Sequence, residues 1–578
     1  MTRGARSRQD PGRSASADVL ATMRAQAINA QRSGQIALAS RLCDMMLANL
    51  PRDVELLHLR ALIDRDSGDI PRAILRLRQA IQLQPEIAAF HLDLGGMLLA
   101  VGRLDDAAAS AEEATRLAPG HIACWYNLGN IYYACGQRGP SHDAYARAVA
   151  CDPKHPQANN NLGLLLLELG DRDAARRCFR QALNSNPRYA VAANNLGTVF
   201  DAEGDAGSAQ SWFAIASSLD PAYLEPILNL AASLEKQGAW QAAIGELTRA
   251  LHLAPNNVRG LWNLALAQLR LGHLSEGWTL YDHGIGVADY RGPARPFAAR
   301  PYKPGARRML LWGEQGIGDQ VMYASMVSDL TAAAIDAVVE VDPRLVAMFT
   351  RSFPDIRFVP GTPVPAPATM EQFEVAMPLA SLGRWLRPDF ASFPRHAGYL
   401  CADRDRAALL RARYAVDPAH QIVGISWMSG ARRHADAKSI DLRDWAPLLR
   451  QRGTTFVSLQ YGNDAAHVQR VRDELGVAII DDPEIDQLRD LDGLAAQIVA
   501  MDHVVTISNT TAHLAGALGV PGTVLLPRDR GLHWYWFVDR PDCPWYPSLT
   551  LLRQRVSGQW GDVIASAAQR LTERRRNP

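Results

Sequence analysis

The chain has 578 residues, too many for one domain, and its 48% apolar and 21% charged residues are ordinary proportions for a folded protein. The net charge of +1 supplies no overall field to attract nucleic acid or an anionic membrane, so neither partner is expected. The seven cysteines show no C-x-x-C pair or zinc spacing, and no apolar run could span a bilayer, so we predict a reduced, cytoplasmic protein without membrane insertion.

The first seventeen residues contain several arginines among Gly and Ser. They lack the apolar stretch of a signal peptide. We therefore expect a disordered tail over 1–17, as is common at chain termini that no element holds in place.

Proline and glycine recur with one period through the first half of the chain. Seven prolines lie 34 residues apart, and seven glycines keep the same step, 17 residues after each proline. The prolines are Pro51, Pro85, Pro119, Pro153, Pro187, Pro221 and Pro255, and the glycines are Gly68, Gly102, Gly136, Gly170, Gly204, Gly238 and Gly272. This period is typical of a helix–turn–helix array in which glycine takes the left-handed turn. We predict about eight repeats over 18–284, forming a binding surface.

Small and aromatic residues keep the same register. Alanine recurs where two helices must approach closely, and aromatic side chains are expected to fill the core of each hairpin. The alanines are Ala80, Ala114, Ala148, Ala182, Ala216 and Ala250, and the aromatics are Tyr145, Phe179, Phe213 and Tyr281. Together these residues resemble the tetratricopeptide repeat, which implies an α-helical superhelix.

The pattern changes after residue 284. Residues 285–307 are rich in Pro, Arg and Gly and predict a linker, or a strap lying on the next domain. From Arg308, short apolar runs alternate with amphipathic stretches, which indicates parallel sheets with helices on both faces. A break near 390–404 divides this α/β region into two similar halves, which we place at 308–395 and 396–578.

The loop after the first of these strands, at 313–319, is the first candidate site. Gly316 and Gly318 let the backbone approach a ligand at a helix N-terminus, and ligands of parallel sheets bind at the carboxyl ends of the strands. Asp319 closes this loop. The alternative for Asp319 is a helix N-cap, and spacing alone favours the cap.

The second candidate site follows a later strand and begins a helix of small residues. Free backbone N–H groups, hydroxyls and a histidine converge on this N-terminus, which suits a phosphate. The alternative is ordinary capping with a packed histidine. The residues are Ser508, Asn509, Thr510, Thr511 and His513.

The third candidate site leaves the end of the strand at 422–427. It contains Ser429 and Lys438, and a cation there could hold the charge that develops on a leaving phosphate. Arg432 and Arg433 lie between them, and we interpret these two as solvated loop charges. No D-x-D pair follows a buried strand, so we predict no metal site.

These three loops together resemble the heptosyltransferase-like GT-B glycosyltransferases over about residues 308–570. The likeness rests on Gly-Ile-Gly-Asp at 316–319, Lys438 before a Leu-x-x-Trp-Ala-Pro-Leu-Leu helix, His-Leu-Ala-Gly at 513–516 and Trp-Tyr-Pro at 545–547. It implies two Rossmann-like halves, with Asp319 as the general base and Lys438 and the helix at His513 receiving the donor diphosphate. Ser508 and Asn509 replace the Asp-Thr of that pattern, which leaves the nucleotide and the sugar open.

Repeats joined to a GT-B pair also resemble the O-linked N-acetylglucosamine transferases, whose asparagine ladder grips the main chain of the acceptor. Five asparagines lie in register here although Asn is a poor mid-helix residue, namely Asn127, Asn161, Asn195, Asn229 and Asn263. A primary amide can donate to and accept from a peptide backbone, so we interpret them as acceptor-binding. The alternative is that they satisfy neighbouring turns.

The sequence thus predicts a glycosyltransferase that needs no metal or cofactor and is expected to invert. A nucleotide sugar would donate to Ser or Thr of an acceptor polypeptide in the repeat groove. Bacterial flagellin transferases resemble this layout, so flagellin is the acceptor to test first. One alternative is a lipid or polysaccharide acceptor. The other is a non-catalytic scaffold with a decayed transferase domain, against which intact Asp319, Lys438 and His513 count.

Overall fold

The computed structural model describes residues 11–287, 290–292, 295, 299–303, 305–361, 372–430, 435–462, 465–538 and 540–576. It divides into two compact units, Met1–Tyr223 and Leu224–Pro578. Within the described residues, the first unit contains six helical hairpins, and the second contains two more hairpins followed by two parallel sheets with helices.

The helices of the first unit pair in chain order into hairpins. They are α1 (Pro11–Arg32), α2 (Ile36–Asn49), α3 (Val54–Asp66), α4 (Ile70–Leu83), α5 (Ala88–Ala100), α6 (Leu104–Leu117), α7 (Ile122–Ala134), α8 (Arg138–Cys151), α9 (Pro156–Glu168), α10 (Arg172–Ser185), α11 (Ala190–Glu203) and α12 (Ala206–Leu219). Aspartates begin several second helices: the side chains of Asp69, Asp171 and Asp205 accept backbone N–H bonds in the first turns of α4, α10 and α12.

Helix α1 begins earlier than expected. We predicted a disordered tail over 1–17, but helical residues start at Pro11, so the prediction is wrong over 11–17. Proline is favoured at the first helical position, where its fixed φ fits the helix and its missing N–H costs nothing. Residues 1–10 lie outside the described residues.

The periodic glycines take the left-handed conformation that the spacing predicted. Their φ angles run from +74° at Gly102 to +89° at Gly170, and each ends the first helix of its hairpin. The periodic prolines lie in the turns between hairpins. These observations confirm the predicted helix–turn–helix register.

The hairpin cores are closely packed. Phe179 and Ala182 of α10 are fully buried. A Cβ added at Gly163 would lie 2.7 Å from the Phe179 ring, closer than any real side chain allows. The small residues predicted from the register therefore let helices approach each other across a large aromatic side chain.

The asparagine ladder of the first unit is engaged within the protein. Asn161 Nδ2 donates to Asn130 Oδ1 at 3.0 Å and to the Tyr126 hydroxyl at 3.2 Å. Asn195 Nδ2 donates to Asn160 Oδ1 at 2.9 Å, and Asn127 Nδ2 donates to the carbonyl oxygen of Leu92 at 3.2 Å. These hydrogen bonds join neighbouring repeats. They therefore support the structural alternative, in which the asparagines bind within the protein rather than to an acceptor.

The last two ladder positions belong to the second unit. Asn229 Oδ1 accepts from Arg259 Nη2 at 3.0 Å. Asn263 is half-buried, and its side chain makes no hydrogen bond to the part of the chain that the structure describes. The five asparagines therefore differ in their environments despite their common register.

Asn195→Ala is expected to destabilise the protein by roughly 1–3 kcal/mol, because the buried Oδ1 of Asn160 loses its donor. The better helix propensity of alanine stabilises the folded state by less than about 0.7 kcal/mol, which does not offset this loss. Thermal unfolding followed by circular dichroism measures the loss. Asn263→Ala is the matched control and should leave the midpoint unchanged or raise it. A midpoint for Asn195→Ala equal to that of the unmodified chain would contradict a structural role.

The second unit begins with helices that continue the repeats, followed by helices that pack on the sheets. The repeat helices are α13 (Leu224–Lys236), α14 (Trp240–Leu253), α15 (Val258–Leu271) and α16 (Leu274–Tyr281). The later helices are α17 (Ile317–Tyr323), α18 (Val327–Ala332), α19 (Val346–Ser352), α20 (Gly383–Leu386), α21 (Arg404–Tyr414), α22 (Ala435–Lys438), α23 (Ala446–Leu449), α24 (Ala465–Leu475), α25 (Leu491–Val499), α26 (Thr510–Ala517) and α27 (Gly561–Arg576).

Both sheets are parallel throughout the strands that the structure describes. The first has the order β3-β2-β1-β4 and the second β10-β9-β8-β5-β6-β7. The strands are β1 (Arg308–Trp312), β2 (Asp336–Val341), β3 (Arg357–Pro360), β4 (Val375–Pro378), β5 (Gln421–Ser426), β6 (Thr454–Ser458), β7 (Ile479–Ile480), β8 (His503–Ile507), β9 (Gly522–Leu526) and β10 (Leu549–Arg553). All residues of β8 and β9 are buried, as expected for parallel strands covered on both faces.

The described part of 285–307 lies as a strap on the first sheet. Arg300 forms an antiparallel bridge with Ala376 of β4, with N–H···O distances of 2.7 and 3.0 Å. The indole N–H of Trp278 in α16 donates to the carbonyl oxygen of Arg387 at 3.0 Å. The last repeat helix and the strap are therefore packed against the region of the first sheet.

Candidate active site

Asp319 lies in the first turn of α17, directly after the loop that leaves β1. Its carboxylate accepts from the backbone N–H of Gly316 at 3.0 Å. The N-cap of α17 is Gly316, so the N-cap role that spacing favoured for Asp319 is wrong, and Asp319 instead completes a capping box from the third helical position. Burial raises the pKa of Asp319 to about 6, while the hydrogen bond from Gly316 and the charge of Lys438 act in the opposite direction. Asp319 is thus part of a capping box and also a carboxylate whose pKa suits proton transfer near neutral pH.

Lys438 is a buried cation at the end of α22, beyond the carboxyl end of β5. It is only 3% exposed, and its Nζ lies 3.1 Å from Nε2 of His533. Burial lowers the pKa of Lys438, and the attraction of Asp319 opposes that shift. A buried ammonium group with a carboxylate in electrostatic range is placed to compensate negative charge on a bound group.

His513 is buried in α26, beyond the carboxyl end of β8. Its Nδ1 lies 2.8 Å from the Tyr546 hydroxyl, and its ring contacts those of Tyr535 and Trp536. Burial, assisted by the charge of Lys438, lowers the pKa of His513 to about 3, so the imidazole is neutral at physiological pH. If the Tyr546 hydroxyl donates to Nδ1, Nε2 carries the proton and can donate to a ligand.

The structure brings these three predicted residues together from both sheets. Helix α17 packs against α26, and a Cβ added at Gly318 would lie 2.6 Å from Cδ2 of His513. Gly318 therefore allows the two helices to meet where only a residue without a side chain fits. Lys438 interacts electrostatically with both Asp319 and His513.

Most of the polar residues that begin α26 have their side chains engaged. Asn509 caps the helix and donates to Ser426 Oγ at 2.8 Å, and Ser508 Oγ accepts from the Trp536 indole at 2.8 Å. Thr511 is fully buried. The capping alternative is therefore correct for Asn509, whose side chain accepts from the backbone N–H of Ala512, whereas Ser508 does not cap the helix. Thr510 is half-exposed and makes no side-chain hydrogen bond within the described residues.

Two backbone N–H groups of the loop after β5 donate to side-chain hydroxyls. The N–H of Ser429 donates to Ser439 Oγ at 3.0 Å, and that of Gly430 donates to the Tyr461 hydroxyl at 2.7 Å. Arg432 and Arg433 lie outside the described residues.

Glu314 also lies in the loop after β1 but is held in a buried ion pair. Arg291 of the strap donates to its two carboxylate oxygens at 2.9 and 2.7 Å and also binds Asp282 at 2.8 Å. Glu314 is therefore not available as a base, although the sequence places it near Asp319. This ion pair was not predictable from the sequence, because Arg291 is 23 residues away along the chain.

The neighbouring Gln315 has a positive φ of +59°, which is uncommon for a residue with a side chain. Both polar atoms of its side-chain amide form hydrogen bonds: Oε1 accepts from the Tyr281 hydroxyl at 3.2 Å, and Nε2 donates to the carbonyl oxygen of Tyr290 at 2.9 Å. The last repeat helix and the strap thus hold the loop that presents Asp319.

A cavity of about 510 Å³ lies at the carboxyl ends of β5, β6 and β7. Gln460 forms part of its wall and accepts from the backbone N–H groups of Trp427 and Met428 at 2.9 and 2.8 Å. Asp481 and Asp486 also line it. This cavity was not predicted from the sequence, although Gln460 follows β6 in the same way that the predicted residues follow their strands.

Among the described residues, no group of three or more His, Cys, Asp or Glu side chains is arranged to hold a metal ion. In the same residues, no helix combines the length and apolarity needed to cross a membrane.

The hairpins and their register define the class of the first part of the chain, which consists of tetratricopeptide repeats. The family model described as Tetratricopeptide repeat matches residues 58–122, 160–223 and 228–282. Protein FlbA of Caulobacter vibrioides (strain ATCC 19089 / CIP 103742 / CB 15) is 30% identical over 366 residues. That match covers 58% of this chain and 59% of FlbA, so it spans less than two thirds of the relative.

Two solved structures are similar to parts of the chain. MamA is 23% identical, with a TM-score of 0.26, and the match covers 27% of this chain and 92% of MamA. YrrB, described as a TPR protein with an unusual peptide-binding site, is 22% identical, with a TM-score of 0.28 and coverage of 32% of this chain and 95% of YrrB.

Proposed function

We propose that this chain is a glycosyltransferase of the GT-B type, which moves a sugar from a nucleotide sugar to a Ser or Thr hydroxyl of an acceptor polypeptide. The observation that carries the proposal is the convergence of Asp319, Lys438 and His513 at the carboxyl ends of strands from two parallel sheets. That edge is where parallel sheets bind ligands. In a displacement at a sugar phosphate, a carboxylate can accept the proton of the attacking hydroxyl, and an ammonium group and a neutral imidazole can stabilise the leaving phosphate.

The proposed step is a direct displacement at the anomeric carbon. Asp319 takes the proton of the acceptor hydroxyl while the hydroxyl oxygen forms a bond to the anomeric carbon. The bond from that carbon to the phosphate oxygen breaks, and the nucleotide leaves with the electron pair. Lys438 and a proton on His513 Nε2 stabilise the charge that appears on the leaving phosphate.

The cavity at the ends of β5–β7 is the proposed site for the nucleoside part of the donor. Trp427 lines this cavity. Met428 and Ser429 follow it in the same connection that contains Lys438. Carboxylates at its edge, Asp481 and Asp486, are acceptors suited to the hydroxyls of a ribose. The anionic phosphates would then face Lys438 rather than these acids.

The repeats are the proposed binding surface for the acceptor, with flagellin as the first to test because of the resemblance described above. Asn161 and Asn195 already use amide donors within the array. To bind the main chain of the acceptor, these amides would therefore have to break their hydrogen bonds within the array and form new ones to the acceptor. A lipid or polysaccharide acceptor is the outcome to consider if no protein acceptor is found.

The rate of transfer is expected to rise with pH through about 6. Burial raises the pKa of Asp319 to about 6, so below that value the base carries a proton and cannot accept another. A profile of kcat/KM against pH should show this acid limb in the unmodified enzyme. A flat profile between pH 5 and 7 would contradict a base with this pKa.

Binding of nucleotides tests the proposal directly. Thermal unfolding of the full chain is measured with nucleoside diphosphates and monophosphates of each base, because a ligand that binds the folded state raises the midpoint. Gln460→Leu removes a polar amide from the cavity wall, and exposed Gln82 on α4 provides Gln82→Leu as the matched control. We expect stabilisation by one nucleotide, reduced only in Gln460→Leu. The absence of stabilisation by every nucleotide would contradict the proposal.

A further inference from the structure

Tyr535 belongs to a further segment that leaves a strand end near the candidate active site. It lies in a short 3₁₀ segment, Trp534–Trp536, in the connection that begins at the carboxyl end of β9. Strand β9 pairs with β8 in the second sheet. The connection that contains Tyr535 therefore starts at the same sheet edge as the segments that contain Lys438 and His513.

The ring of Tyr535 contacts two histidines. It stacks on His533, with ring centres 5.2 Å apart and planes 5° apart, and it meets His513 edge to face at 5.0 Å. Nε2 of His533 lies 3.1 Å from Nζ of Lys438, and the charge of Lys438 also acts on His513. Tyr535 is therefore packed against both histidines that adjoin the buried ammonium group.

The hydroxyl of Tyr535 is a donor without an acceptor in the part of the chain that the structure describes. The side chain is only 6% exposed, yet its hydroxyl is not sealed from solvent as the unpaired indole N–H groups of Trp427 and Trp545 are. Burial raises the pKa of Tyr535 well above its usual range, and the charge of Asp319 acts in the same direction. The hydroxyl thus keeps its proton and can donate to a ligand that reaches it.

The segment that carries Tyr535 is fixed on both sides by one residue of α15. Nη2 of Arg270 donates to the carbonyl oxygen of Leu532 at 3.2 Å, and the N–H of Val538 donates to the carbonyl oxygen of Arg270 at 3.1 Å. Phe537 has a positive φ of +53°, a conformation that persists only where the surrounding structure imposes it. The hydroxyl is therefore held in place before a ligand binds, which lowers the entropy cost of binding.

We propose that the Tyr535 hydroxyl donates a hydrogen bond to the phosphate that Lys438 holds. The inference rests on the proposed function for the identity of this phosphate, which is the leaving group of the nucleotide sugar. The phosphate then receives donors from the connections after β5, β8 and β9, through Lys438, His513 and Tyr535. Because charge on the phosphate increases as its bond to the anomeric carbon breaks, a donor fixed at this position stabilises the transition state more than the intact donor sugar.

Calorimetric titration of the full chain with inorganic pyrophosphate tests this contact without requiring sugar transfer. Tyr535→Phe removes only the hydroxyl and keeps the ring contacts with His533 and His513. Tyr302→Phe is the matched control, because Tyr302 is half-buried against Trp385 and its hydroxyl also makes no hydrogen bond within the described residues. Both variants should unfold at the midpoint of the unmodified chain when no ligand is present, because neither loses a described hydrogen bond.

We expect Tyr535→Phe to bind pyrophosphate roughly 10-fold more weakly than the unmodified chain, because a hydrogen bond to a charged group is lost, and Tyr302→Phe to bind it equally well. Equal affinity in Tyr535→Phe would overturn the inference and leave the proposed function standing. The absence of pyrophosphate binding to the unmodified chain would also overturn it. Binding that depends on Tyr535 in a chain that transfers no sugar would support the phosphate contact and contradict the proposed function.

Discussion

Replacement of Asp319 by asparagine is expected to slow sugar transfer by about 10²–10⁴-fold, because a positioned general base typically contributes that factor. Asparagine is nearly isosteric, and its Oδ1 can still accept from the backbone N–H of Gly316, so the start of α17 should stay intact. Nucleotide affinity should therefore remain close to that of the unmodified chain. Initial rates with saturating donor, together with calorimetric nucleotide titration, measure the two effects separately.

Near-normal turnover by Asp319→Asn would leave this residue with its capping role alone. Glu314 is the nearest other acid in the sequence of that loop, but its two oxygens bind Arg291. The base would then be a group other than these two carboxylates. The variant thus distinguishes a catalytic carboxylate from a structural one.

Lys438→Ala is expected to weaken donor binding by roughly 10- to 100-fold, because a hydrogen bond to a charged group contributes about 1.5–3 kcal/mol. Transfer should slow as well, since the leaving phosphate loses its cation. Lys154→Ala, in an exposed turn of the first unit, is the matched control and should bind normally.

His513→Ala should weaken donor binding less than Lys438→Ala does, because burial keeps this imidazole neutral. Unchanged affinity in both Lys438→Ala and His513→Ala would place the donor elsewhere.

The repeat part of the fold was predictable because its determinants are local and periodic. A left-handed turn requires glycine at one position of each hairpin, and all the periodic glycines have a positive φ. Burial of Ala182 and Phe179 follows from the same register. The start of α1 at Pro11 was not predicted, because a segment rich in Ser, Gly and Arg carries no apolar period that would indicate a helix.

The candidate site was predictable where a residue lies in the segment that leaves the carboxyl end of a strand. Asp319, Lys438 and His513 follow β1, β5 and β8, and strand ends of parallel sheets share an edge. The hydrogen-bond partners of the polar residues that begin α26 could not be predicted, because they depend on which loops meet in space. Asn509 reaches Ser426, and Ser508 accepts from Trp536, across separations of 83 and 28 residues.

Mass spectrometry of intact glycoproteins tests the central claim most directly, in cells that contain this chain and in cells from which it has been deleted. The account predicts that at least one protein, with flagellin examined first, loses the mass of a sugar on Ser or Thr when the chain is absent. Restoring the unmodified chain should return that mass, and restoring Asp319→Asn should not. Identical protein glycosylation with and without the chain would contradict a protein glycosyltransferase.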